Sequence, residues 1–95
     1  MENTRTERLV LSFLKSADAA IEYLTQITSF GVLSKTLSTT GKQCIVKMSG
    51  TNDKNELILA QADIRISGNN RVALALTVKS NQEENIDLIF QSIMG

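Results

Sequence analysis

Histidine, proline and tryptophan are missing from this 95-residue chain, and cysteine and tyrosine each occur once. Without histidine the chain has neither the usual general base at neutral pH nor the usual nitrogen ligand for a metal. A single cysteine, Cys44, has no partner for an internal disulfide, which predicts a reducing, cytoplasmic setting. Cys44 also has no histidine to activate it, and its place in an apolar alternation marks it as a core thiol. Glycine-rich phosphate loops are absent as well: Gly41, Gly50 and Gly68 stand singly, each in a turn-like setting. The break Thr51 to Glu56 has oxygen ligands but neither calcium-loop spacing nor freedom from a lysine, so it predicts a solvated turn. No catalytic, cofactor or metal residues are expected, and the chain is read as a non-enzyme.

An excess of charge is lacking too. Ten basic residues balance ten acidic ones, so no whole-molecule field draws the chain to nucleic acid or an anionic membrane. The opening MENTRTER carries acids, and the apolar stretch after it is broken by Lys15 and Asp18, which predicts neither a signal peptide nor a membrane span. Ninety-five residues predict one small domain over 1–95, with a single core.

What is present is alternation. In RVALALTVK, Val72, Leu74, Leu76 and Val78 fall at every second position, the period of a half-buried strand. The preceding run puts Ile58, Ala60, Ala62, Ile64 and Ile66 on one face. A three-residue loop at Gly68-Asn69-Asn70 predicts a hairpin with Ile66 opposite Val72, Ile64 opposite Leu74 and Ala62 opposite Leu76. A slip by one residue would mix the faces. Cys44, Val46 and Met48 extend the same side from an earlier strand, joined through a loose polar break from Ser49 to Asn55. Between Val32 and Thr40 the chain is either an edge strand, with Leu37 opposite Cys44, Leu33 opposite Met48 and Lys35 facing inward, or a loop.

Two segments carry helical spacing. At the C-terminus, Ile86, Ile89, Phe90 and Ile93 predict a helix from about Gln82 to Met94, capped by Ser80 or Asn81, with Glu83 and Glu84 where the macrodipole favours acids. At the N-terminus, Val10, Leu14, Ala17, Ile21, Leu24 and Thr28 predict one long amphipathic helix, with Thr4 and Glu7 as a capping box and Gly31 after its end. Such a helix, about 38 Å long at 1.5 Å per residue, would overhang the strands and so hint at self-association. The competing reading makes Arg8 to Lys15 a strand and starts the helix at Ser16.

The expected fold is therefore α+β: an antiparallel meander of three to four strands with an N-terminal and a C-terminal helix packed on one face. Its uncovered face would carry Gln43, Ile45, Lys47, Leu57, Leu59, Gln61, Asp63, Arg65, Arg71, Ala73, Ala75, Thr77 and Lys79. A purely solvated face would hold fewer apolar residues. Ile45, Leu57, Leu59, Ala73 and Ala75 are accordingly interface candidates, and the leading expectation is a protein-interaction or assembly module, a homodimer burying that face or the long helix. The alternative draws on local charge, since Lys42 to Lys79 holds six basic residues against three acids. Lys47, Arg65, Arg71 and Lys79 could follow a phosphate backbone. However, Phe13, Tyr23, Phe30 and Phe90 all lie in or beside predicted helices, which leaves no aromatic on the strands for bases to stack on.

Two resemblances add to this. The string VKMSGTND, followed by a hairpin and an acid-capped helix, is similar in pattern to small prophage inhibitors of a CRISPR nuclease. That likeness implies a phage-type inhibitor of a host protein, although those inhibitors are acidic DNA mimics and this chain is neutral. The order RLVLSF, helix, hairpin and C-terminal helix resembles the small dimerising subunit of the KEOPS tRNA-modification complex. That likeness implies a dimer and a strand at Arg8 to Lys15. Neither transfers a site.

Overall fold

The computed structural model describes residues 2–67 and 71–94. Seven elements follow one another: β1 (Asn3–Leu11), α1 (Ala17–Thr28), β2 (Gly31–Leu37), β3 (Gln43–Thr51), β4 (Leu57–Ile66), β5 (Val72–Ser80) and α2 (Glu83–Met94). The class is α+β, but the sheet has five antiparallel strands rather than three or four, in the order β1-β5-β4-β3-β2. Strands β2 to β5 form a meander, and β1 departs from it by pairing with β5 at the far edge. The connection through α1 therefore carries the chain from one edge of the sheet to the other.

The hairpin register is the expected one: Ile66 faces Val72, Ile64 faces Leu74 and Ala62 faces Leu76. The predicted loop at residues 68–70 lies outside the described residues. Val72, Leu74, Leu76 and Val78 are buried together with Ile58, Ala60, Ala62, Ile64, Cys44, Val46 and Met48. Both helices contact the sheet and each other, α1 through β3 and β4, α2 through β5 and β1. Small residues, Ala17 and Ala20 on α1 and Ala60 and Ala62 on β4, occupy the layers where helix and sheet meet, and all four are buried.

The N-terminal expectation is corrected. Asn3–Leu11 is a strand, so Thr4 and Glu7 cap nothing, and α1 begins where the competing reading put it. Ser16 is its N-cap, and its hydroxyl accepts the Ala19 N–H at 3.1 Å. The 4,3 spacing that ran back to Val10 is accidental beyond Ala17. Leu14 instead closes a turn, its N–H donating to the Leu11 carbonyl. A strand wins there because the free edge of β5 pairs with nine residues in one ladder, and each strand gives the inward-facing backbone groups of the other their partners. At twelve residues α1 spans roughly 18 Å. The overhanging stripe, and the self-association drawn from it, are lost.

Other boundaries move for local reasons. The left-handed residue after α1 is Ser29, with φ of 60°, and Gly31 opens β2. The segment from Val32 is an edge strand, with Leu37 opposite Cys44 and Lys35 opposite Val46 on the helix side. An irregularity between Val32 and Ser34 places Val32, not Leu33, opposite Met48. Lys35 meets α1 there, its Nζ 2.8 Å from Asp18 Oδ1. That bond holds the lysine above its ordinary pKa. Nor is the break before β4 loose. Asn52 Oδ1 accepts the N–H groups of Lys54 and Glu56, while its Nδ2 donates to Glu56 Oε1 at 2.8 Å and to Asn85 Oδ1 at 3.0 Å. Asn85 in turn donates to Ser80 Oγ, which also accepts the Gln82 N–H at the entrance to α2.

Candidate functional site: the open face of the sheet

Strand alternation that buries one set of side chains turns the other set outward, and the pairing register arranges that set in rows. Across β1, β5, β4 and β3 the rows read Val10, Ala73, Arg65, Gln43, then Arg8, Ala75, Asp63, Ile45, then Thr6, Thr77, Gln61, Lys47. The next row is Thr4, Lys79, Leu59, Ser49. Every residue expected on the uncovered face from Gln43 to Arg65 and from Ala73 to Lys79 lies in these rows or, for Leu57, just beyond them opposite Thr51. Arg71 precedes β5 and is exposed.

The interface candidates are not equivalent. Ile45, Leu59, Ala73 and Ala75 are half-buried by their neighbours, whereas Leu57 is 58% exposed. Two depressions divide the face. One, of about 360 Å³, is floored by Ala73 and Ala75 and walled by Arg8 and Val10 on one side and Asp63 and Arg65 on the other. The second, of about 380 Å³, lies around Leu59 and Gln61 between Leu33, Lys47 and Lys79. Leu33 reaches it through the irregularity in β2 and is 63% exposed.

Charge on this face is lopsided. Arg8, Lys47, Arg65 and Lys79 share it with one acid, Asp63. That carboxylate accepts from Gln43 Nε2 at 3.1 Å and lies 3.7 Å from Arg65. Of the nucleic-acid candidates, Lys47, Arg65 and Lys79 are brought onto the face, with Arg71 at its margin. The aromatics lie elsewhere: Tyr23 in α1, Phe90 in α2, Phe30 under Gly50, and Phe13 edge-on to Tyr23 at 5.2 Å between ring centres.

Over residues 1–93 the chain matches the family model of the coatomer subunit gamma-1 C-terminal appendage platform. It belongs to that family. The comparison with curated proteins finds no match.

Opposite the open face, this platform carries an acidic helix surface whose pairing the sequence did not disclose. Arg5, on the helix side of β1, lies 2.6 Å from Asp87 and 3.6 Å from Glu83, with its guanidinium 5.8 Å from the Phe90 ring centre. Glu83, read above as helix-start charge, and Asp87 one turn later are thus also strand-to-helix ties. Only an edge strand at Asn3–Leu11 brings Arg5 there, so the long-helix reading hid it. Cys44 is fully buried, and burial pushes its thiol pKa up. Among the described residues no group of three His, Cys, Asp or Glu side chains is placed to hold a metal. No helix among them is long and apolar enough to cross a membrane.

Proposed function

We propose that this platform is a non-catalytic protein-interaction module of a cytoplasmic assembly, and that it docks through the open face of its sheet. One observation carries the reading. Ile45, Leu59, Ala73 and Ala75 form the centre of a face that no element among the described residues covers, with cations around them. Apolar centres with polar rims are the anatomy of protein interfaces. Membership of a family named for the appendage of a coat subunit supports the same reading. A second copy of the chain is the first partner to consider, as the sequence suggested.

The test is crosslinking and capture from the native host with Leu59→Glu and Ala75→Glu, against Glu22→Lys on the outer side of α1 as control. Loss of partners in the first two, with helix content unchanged and Glu22→Lys unaffected, supports the reading. Capture indifferent to all three removes the open face from the function.

A second reading rests on the four cations that the face carries. Salt-dependent binding to RNA or single-stranded DNA that weakens with Arg65→Ala and Arg71→Ala would favour it. A flat titration at low salt ends it, as the missing strand aromatics lead one to expect.

A further inference from the structure

A chain with no net charge has here sorted its charge by layer. The open face holds Arg8, Lys47, Arg65 and Lys79 against Asp63, while α2 holds Glu84 one turn before Leu88 and, on the side tied to Arg5 of β1, Glu83 and Asp87. Leu88 is 60% exposed, one helical turn after Glu84 and next to Asp87, and it lines a depression whose acids Asp53, Glu56 and Glu84 outnumber the one cation there, Lys54. Among the described residues, Leu88 is left mostly uncovered and Ala73 and Ala75 only half-covered.

We infer that the occupant of the open face is α2 of a second copy, with Leu88 seated in the depression over Ala73 and Ala75 and Glu84 turned to the flanking cations. The inference rests on the docking reading above and names its partner. Size agrees. The strands flanking β5 stand two strand spacings apart, roughly 9.6 Å, close to the roughly 10 Å diameter of a helix. Charge agrees as well, because Arg8 and Arg65 stand on opposite sides of the alanine floor. Face-to-face pairing would instead set two cationic surfaces against each other, a like-charge juxtaposition that disfavours that arrangement.

The contact joins two different surfaces on opposite layers of the molecule. It is therefore heterologous, and each bound copy still offers a free helix at one end and a free face at the other. Copies add in a row instead of stopping at a two-fold pair.

Sedimentation of the full chain from low micromolar to near-millimolar concentration, at low and high salt, tests this. The expected result is an average mass that passes that of a dimer and falls as salt rises. Leu88→Lys and Arg8→Glu should each weaken association about tenfold while leaving helix content unchanged. The sharper variant is a charge exchange. Glu84→Lys and Arg8→Glu should each associate weakly alone and recover when mixed, because the reversed helix of one meets the reversed face of the other. A closed dimer indifferent to Leu88→Lys but broken by Leu59→Glu overturns the inference and leaves the open-face reading standing. A wild-type chain that stays monomeric throughout also overturns it, and capture with Leu59→Glu then decides the open-face reading independently.

Discussion

On β5 the two faces of the sheet meet within a single strand. Val72, Leu74, Leu76 and Val78 point to the helices and are at most 3% exposed, while Ala73, Ala75 and Thr77 point the other way and are only half-covered. Both sets contain apolar residues, so hydrophobicity alone does not distinguish them. Size does: the covered set is large and branched, and the open set is small and interspersed with charge. Large apolar side chains release more free energy on burial, about 0.8 kcal/mol for each buried methylene, and so define the side that folding closes. Small ones leave a surface that tolerates water yet still gains from a partner.

The largest loss is expected at Leu76, which is 1% exposed. Leu76→Ala should cost about 2–5 kcal/mol in urea unfolding, a large share of the roughly 5–15 kcal/mol that stabilises a typical domain. Gly50 lies on the same covered face. A Cβ there would meet the Phe30 ring at 2.3 and 2.7 Å. Because Phe30 is buried, Gly50→Ala should lower stability by about 1–3 kcal/mol, with thermal unfolding as the measure.

On the open face, Leu59→Glu should stay within about 0.5 kcal/mol of wild type while abolishing partner capture. A loss comparable to Leu76→Ala would mean that the two faces do not differ as described. Cys44 distinguishes the two faces chemically. It should resist a thiol reagent until the chain unfolds, whereas a probe cysteine introduced by Ala75→Cys on the open face should react at once. Because the Cys44 pKa is raised in the fold, its contribution to stability is fully present below the ordinary thiol range. It is lost as pH rises through that range, since the unfolded thiol ionises first. At the helix end, Ser29→Gly should add about 0.5 kcal/mol by relieving a left-handed serine, a small gain visible in melting temperature.

How much of this was legible varied with the length of chain that each feature involves. The β4–β5 register could be read because a hairpin is local and its alternation permits only one facing. The open-face residues followed from the same alternation. Strand β1 was harder, since RTERLVLSF has both a two-residue period and, continued into α1, a plausible helical one. The ladder that decides between them lies about seventy residues away in sequence. The Arg5 ties to Asp87 and Glu83 were invisible for the same reason. Leu33 was misplaced because an irregularity in one edge strand leaves no mark in the pattern of residue types.

The sequence by itself determined the class, the hairpin, the C-terminal helix and which side of β3, β4 and β5 is apolar throughout, because each depends on side-chain periods of two or three to four residues. Only long-range pairing makes Asn3–Leu11 a fifth strand at the far edge of the sheet. A segment whose local preferences are balanced adopts whichever form satisfies its backbone, and only the assembled sheet offers β1 a partner.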